Sequence, residues 1–382
     1  MRVGINLVWV KPNNCGGIES YIRNLLDGFY NYGFDDVQQF VLFVSKDNHF
    51  TFDKYLSSPR FEKVICNIES YNVKKRIIWE NSAIDRIAKK RKVDLMFIPI
   101  YNKPLITFSE IPYVIVIHDL QALHYPEYFS LLKNIWLRLA WRRSAKTSNM
   151  IIAVSNFVKN DIIEKIGVPE EKIKVIYNPI HIDEKEEVPF EILEKKYNIK
   201  KKEYFYTISS LHPHKNLKTL LYLMKTIKER KIELPKVLVI SGIMAGQKKE
   251  FFRLIDELDI KQNVIITGFI SNSERNSFYK NAAALLFPSI FEGFGMPCIE
   301  SMILGTPVVT TKCAAIPEVT MGKAIYVDNP FDVDEWVKKI FYALTKQVTN
   351  FDYYSIESIA RKYIQIFKMI VTENKNKNQI AL

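Results

Sequence analysis

Short apolar runs that do not alternate with polar residues recur along this chain, and stretches of helical period separate them. In the first half they read "VGINLVWV", "QFVLFVS", "EKVICNI", "LMFIPI", "YVIVIHDL", "MIIAVS" and "IKVIYNP". In the second half they read "YFYTISS", "KVLVISG", "NVIITGF", "AALLFPS", "PVVTTK" and "AIYV". A strand with one face in water alternates apolar and polar residues. A strand covered on both faces does not, and parallel sheets read this way. The intervening stretches supply the covering helices: "GIESYIRNLLDGF" puts Ile18, Tyr21, Ile22, Leu25, Leu26 and Phe29 on one stripe. The pattern is β-α repeated, twice over, and predicts an α/β protein with two doubly wound domains.

A chain of 382 residues exceeds what one core usually supports, which agrees with two domains. Between "IKVIYNP" and "YFYTISS" the stretch "HIDEKEEVPFEILEKKYNIKKKE" loses apolar residues and gains charge, as linkers do. The boundary is expected near Asp183, giving domains 1–183 and 184–350. A formal charge of +12, from 54 basic and 42 acidic residues, calls for an anionic partner: a phosphate-bearing small molecule, a membrane surface or nucleic acid. Basic residues spread over the whole chain, without a recognised binding module, argue against nucleic acid. Cys15, Cys66, Cys298 and Cys313 show no paired spacing, so reduced thiols in a cytoplasm are expected. No run reaches the ~18 apolar residues of a membrane span, so attachment is expected at most to a membrane face.

In doubly wound sheets ligands sit beyond the carboxyl ends of the strands, and two such domains side by side leave a cleft there. Gly16 and Gly17 stand where the first strand turns into a helix; they either make a tight turn or let an anion approach the helix N-terminus. The full dinucleotide fingerprint is absent, against a nicotinamide enzyme. His118 and Asp119 end the run "VIVI", and no nucleophile elbow accompanies them. Ser155 and Asn156 in "AVSNF" read as a helix cap. Lys215 lies close to the start of a helix carrying Leu217, Leu220, Leu221 and Met224; a lysine there opposes the helix dipole and asks for an anion. In "FPSIFEGFGMPCIESM", Glu292 heads a glycine-rich turn and Glu300 follows on a short helix begun by Pro297. Carboxylates accept from vicinal sugar hydroxyls, and backbone N–H groups of "GFGM" can meet phosphate.

The set "GGIESYIRNL", "HDL", "AVSNF", "VIYNP", "HKNL", "PSIFEGFGMPCIESM" and "IPEV", in that order, resembles glycosyltransferase family 4, retaining enzymes that use nucleotide-sugars. The resemblance runs from residue 1 to about 370 and implies the GT-B fold, two Rossmann-like domains facing across a cleft. It implies that Gly16 and Gly17 border the donor diphosphate and the acceptor, and that Lys215 holds the diphosphate. It gives Glu300 the ribose, Glu292 the donor sugar, and the N–H groups of Phe294, Gly295 and Met296 that sugar or the phosphates. It gives His118 a hydrogen bond to a donor-sugar hydroxyl. Three positions depart from the family pattern: Ser209-Ser210 stands where Gly-Arg is frequent beside the diphosphate, leaving Ser210 as the donor contact; His214 stands where arginine is common; Ala314-Ala315 stands where glycines are usual. A C-terminal helix, residues 351–372, is implied to cross back to the first domain.

The donor is then a GDP-, UDP- or dTDP-linked sugar, and the acceptor a saccharide, in bacterial surface polysaccharide assembly such as O-antigen or capsule. Metal is not required on this reading, because Asp332 and Asp334 of "DVDEW" read as helix-start acids rather than a metal motif. Residues 129–146, "FSLLKNIWLRLAWRRSAK", carry Trp136, Trp141, Lys133, Arg138, Arg142, Arg143 and Lys146. Their apolar side faces either the core or an anionic bilayer; the second choice makes the acceptor lipid-linked. The rival readings are a GT-B protein of another activity, an epimerase or phosphorylase, and, further off, a nucleic-acid-binding protein.

Overall fold

The computed structural model describes residues 1–12, 16–182, 186–244, 249–346, 351 and 353–380. The chain divides into two compact units, Met1–Pro179 with Tyr354–Leu382, and Ile180–Tyr353. Asp183 and Asn350, where the sequence places domain limits, lie outside the described residues.

Each quoted apolar run supplies one strand. In the first unit these are β1 Arg2–Asn6, β2 Gln39–Val44, β3 Phe61–Ile65, β4 Leu95–Ile98, β5 Tyr113–Ile117, β6 Met150–Ala153 and β7 Ile173–Val175. They form one sheet in the order β3-β2-β1-β4-β5-β6-β7, with every pair parallel. In the second unit β8 Tyr204–Ile208, β9 Val237–Ser241, β10 Val264–Gly268, β11 Ala284–Phe287, β12 Val308–Thr311 and β13 Ile325–Val327 form a second parallel sheet in the order β10-β9-β8-β11-β12-β13. Every residue of β4, β5, β6 and β11 is buried, which is why these segments do not alternate. Strand order reverses between β1 and β4 in one sheet and between β8 and β11 in the other. At such a reversal the two neighbouring loops diverge to opposite faces and open a crevice.

Seven helices carry or support the candidate functional residues: α1 Gly17–Tyr32, α2 Leu131–Thr147, α3 Leu217–Glu229, α4 Asn272–Asn281, α5 Met296–Ile303, α6 Val333–Leu344 and α7 Ile356–Ile380. On α1 the predicted stripe buries Tyr21, Ile22, Leu25, Leu26 and Phe29, while Ile18 is half-buried. On α3 the predicted face, Leu217, Leu220, Leu221 and Met224, joins a core with Phe205, Leu286 and Trp336.

The C-terminal helix α7 belongs to the first unit and packs on α1. The Tyr21 and Tyr363 hydroxyls lie 2.7 Å apart, and Phe367 packs against Phe97 at 5.2 Å between ring centroids. Gly28 allows the approach: a Cβ there would sit 2.7 Å from the Ile356 carbonyl oxygen and 3.0 Å from the Ala360 Cβ. Gly28→Leu should therefore cost about 1–3 kcal/mol through overpacking, measured by denaturant unfolding. Unchanged stability would mean α7 does not lie on α1 in this way.

Candidate functional site

In the second unit the site is built where the sheet reverses. β8 leads into residues 209–216, including the tight 3₁₀ turn Pro213–Lys215, and β11 leads into residues 288–295. The Ile290 N–H donates to the His214 carbonyl at 2.8 Å and ties the two loops together. Thr310 and Thr311 at the end of β12 donate through their hydroxyls to the carbonyls of Phe287 and Ser289, at 2.8 and 2.5 Å, and hold the second loop from its other side. Between these ties Lys215 Nζ meets Glu292 Oε1 at 2.6 Å. The anion that Lys215 asks for in the sequence is thus supplied from 77 residues away by the first glutamate of the glycine-rich turn. Both side chains are largely out of solvent, so the attraction is screened less than at a surface.

The backbone of Glu292 is fixed as well, its carbonyl accepting from the Ala315 N–H at 3.2 Å. The preceding Ala314 has φ +51°, the left-handed region. The turn usual with glycine is therefore kept by alanine, at a cost of about 1–2 kcal/mol. His214 is buried.

Gly295 enters α5 with φ +86°, a left-handed turn that glycine reaches without Cβ strain. Pro297 occupies the first turn of α5, where its missing N–H costs nothing. The side chains of Phe294 and Met296 are buried, so what these residues could give a ligand is backbone, beside the positive end of the α5 dipole. Glu300 follows one turn later and is 6% exposed. Its Oε2 accepts from the Tyr279 hydroxyl at 2.9 Å, and its Oε1 lies 3.7 Å from Arg275 Nη1. Tyr279 and Arg275 stand one turn apart on α4, which starts with a Ser271–Glu274 capping box. Burial first, and then the Glu300 charge, push the Tyr279 phenol well above its usual range, so it is the donor. The sequence gives no sign of either partner, since "NSERNSFYKN" reads as an ordinary polar helix.

In the first unit Gly16 and Gly17 are exposed at the start of α1, and a Cβ built on either meets nothing within 4 Å. Among the described residues packing requires neither glycine, but the φ of +57° at Gly16 is one that glycine reaches without Cβ strain; Asn13, Asn14 and Cys15 before them lie outside the described residues. His118 directly follows β5, with Nε2 2.9 Å from the carbonyl of Pro99, which directly follows β4, and its ring edge-on to Tyr21 at 4.8 Å. A carbonyl only accepts, so Nε2 carries the proton and Nδ1 presents a lone pair. Burial lowers the His118 pKa to about 4. Its nitrogen signals should thus remain those of the neutral Nε2–H tautomer from pH 8 to pH 5, by NMR. A transition near pH 6.5 would contradict this burial. The stability tied to the neutral ring is fully present above about pH 6.5 and falls as pH drops toward 4, because the unfolded chain takes the proton first.

Ser155 caps its helix by accepting from the Val158 N–H at 3.2 Å. Asp332 caps α6 through the N–H groups of Asp334 and Glu335, at 2.9 and 3.1 Å, and Asp334 pairs with Arg230. Among the described residues no group of three or more His, Cys, Asp or Glu is placed to hold a metal ion. Near the reversal between β1 and β4, Asn6 donates at 2.9 Å to Glu80, a buried carboxylate raised in pKa mainly by desolvation. Glu80 opens a π-helical turn that nothing in the sequence pattern announces.

The family profile described as "Glycosyltransferase Family 4" matches residues 15–184, and the one described as "Glycosyl transferases group 1" matches residues 189–362. The chain belongs to glycosyltransferase family 4. Among curated relatives, of whose length this chain spans less than two thirds, the O-antigen chain mannosyltransferase RfbU of Salmonella typhimurium is 30% identical over 247 residues, which cover 63% of this chain and 64% of RfbU. The O-antigen chain mannosyltransferase B of Escherichia coli is 27% identical over 58% of each chain. Among solved structures, Anabaena HepE with UDP and glucose superposes with a TM-score of 0.65 over 100% of this chain and 99% of its own, at 18% identity, a likeness of GT-B fold.

The basic helix α2 turns a mixed side to the core. Asn134, Leu137, Ala140, Trp141, Ser144 and Ala145 are buried, with Trp141 edge-on to Tyr101 at 5.2 Å. Leu131, Leu132 and Leu139 are 75%, 81% and 65% exposed, and Ile135 and Trp136 are exposed beside them. Lys133, Arg138, Arg142, Arg143 and Lys146 are exposed on the same helix. No described helix is long and apolar enough to cross a membrane.

Proposed function

We propose that this glycosyltransferase moves a mannosyl residue from a nucleoside diphosphate donor to a saccharide acceptor in O-antigen assembly, with retained anomeric configuration and without a metal. The mannosyl and O-antigen parts of the reading come from the names of the relatives. The observation that carries the donor site is Lys215 set against Glu292 beside the start of α5.

Lys215 holds the diphosphate and Glu292 the donor sugar, each remaining within reach of the other. The first-turn N–H groups, from Phe294 to Met296, receive phosphate or sugar oxygens, Ser210 borders the phosphates, and Glu300 accepts from the ribose. Gly16 and Gly17 leave space for diphosphate and acceptor, and His118, through Nδ1, accepts from a sugar hydroxyl. In the reaction the bond from the anomeric carbon to the diphosphate breaks and one to the acceptor oxygen forms on the same face. The acceptor's proton passes to the leaving phosphate, whose growing charge Lys215 and the α5 dipole stabilise. Glu292 orients the sugar without bonding to it.

The exposed leucines and basic residues of α2 support a further part of this reading, in which the enzyme works at the face of an anionic bilayer on a lipid-linked saccharide. Nucleotide-linked mannoses, offered with O-antigen core acceptors and followed by mass spectrometry and NMR of the product, test the reading. An α-linked product from an α-linked donor, formed equally with and without EDTA, is expected. Epimerised donor, an inverted linkage, or activity lost to EDTA and restored by manganese would each overturn the corresponding part.

A further inference from the structure

We propose that Tyr279 is a positioning residue that decides which oxygen of Glu300 meets the donor's ribose, with Arg275 the competitor it holds off. The inference rests on the reading of Glu300 as the ribose acceptor.

Glu300 sits in a nearly dry place on the first turns of α5, between two side chains of α4. Tyr279 donates to Oε2 at 2.9 Å, a bond of hydrogen-bonding length. Arg275 Nη1 stands 3.7 Å from Oε1, close enough to balance the charge and too far to be a good hydrogen bond. The carboxylate is therefore held by one oxygen, and Oε1 keeps acceptor capacity for a vicinal diol. Without the Tyr279 hydroxyl the carboxylate loses its 2.9 Å tie and can turn toward the guanidinium, where two parallel bonds would occupy both oxygens. Tyr279 is itself anchored: its carbonyl accepts from the Thr306 hydroxyl at 2.6 Å, and its ring meets Tyr206 edge-on at 5.0 Å. Phenylalanine fits the same space, so only the hydroxyl is removed.

The test uses GDP and UDP, each beside its 2′,3′-dideoxy counterpart, with binding to the full chain measured by calorimetry. The wild type should prefer the ribose form, and Glu300→Ala should erase that preference; Glu300→Leu, which also lacks an acceptor, replaces it if the alanine variant does not fold. Tyr279→Phe should lower the preference about tenfold, the weight of one hydrogen bond to a charged group, while leaving dideoxy affinity unchanged. In turnover, it should raise the donor KM and leave kcat at saturating donor unchanged. Full preference in Tyr279→Phe with loss in Glu300→Ala would assign Tyr279 to packing alone and overturn the proposal. Full preference in both variants, or no binding of either nucleotide by the wild type, would remove the ribose reading of Glu300 and the proposal with it.

Discussion

Lys215→Ala should lower kcat at least ~100-fold, with a smaller effect on the donor KM. Negative charge grows on the bridging oxygen as the diphosphate leaves, and a fixed ammonium stabilises that charge more than it stabilises the bound donor. The loop offers little else of positive charge, because Ser209-Ser210 replaces the frequent Gly-Arg pair and His214 is buried. Lys215→Ala also leaves Glu292, a mostly buried carboxylate, without its 2.6 Å partner and aimed at a polyanionic ligand. Lys215→Gln should rescue little, since it restores a hydrogen-bond donor and not the charge. Near-normal kcat in a well-folded alanine variant would move the phosphate-holding role to another cation.

Leu132→Glu with Leu139→Glu should weaken binding to vesicles of phosphatidylglycerol and phosphatidylcholine by at least ~100-fold. Each leucine contributes about 1.5–3 kcal/mol when moved from water into an apolar layer, and both are more than half exposed in the protein. Arg138→Ala with Arg142→Ala should cost about 1 kcal/mol per residue, an effect that fades with salt. Neither pair faces the core, so folding should be unchanged in both variants. Equal co-sedimentation of wild type and leucine variants, or equal binding to neutral and anionic vesicles, would leave α2 as a solvated helix.

The reading of α2 shows where sequence patterns stop. Its apolar residues surround most of the helix, so periodicity cannot say which arc faces inward. The core took the arc of Asn134, Leu137, Ala140, Trp141, Ser144 and Ala145, and left Leu131, Leu132 and Leu139 outside. Strands were legible for the opposite reason: the central ones are buried on both faces and so read as unbroken apolar runs, and each run became a strand of a parallel sheet. Helix starts at Ser155 and Asp332 were legible because capping is local. The glycine-rich turn and its two glutamates announced themselves, whereas their partners did not. Lys215 reaches Glu292 only through the adjacency of β8 and β11 in the sheet, and Tyr279 reaches Glu300 only through the packing of α4 beside α5, which no local spacing encodes. The tautomer of His118 is likewise set by the carbonyl of Pro99, just past the neighbouring strand β4.

The central claim is that the second unit binds a nucleotide-sugar through Lys215, Glu292, Glu300 and the start of α5. Thermal unfolding of the wild type, Lys215→Ala and Glu300→Ala with a panel of nucleoside diphosphates and nucleotide-linked sugars tests it most directly, because a ligand raises stability only where it binds the native state. The account predicts that one nucleotide series raises the wild-type Tm, that Lys215→Ala loses the part due to the diphosphate, and that Glu300→Ala loses the part due to the ribose. No stabilisation by any nucleotide, or the same stabilisation in all three proteins, would contradict it.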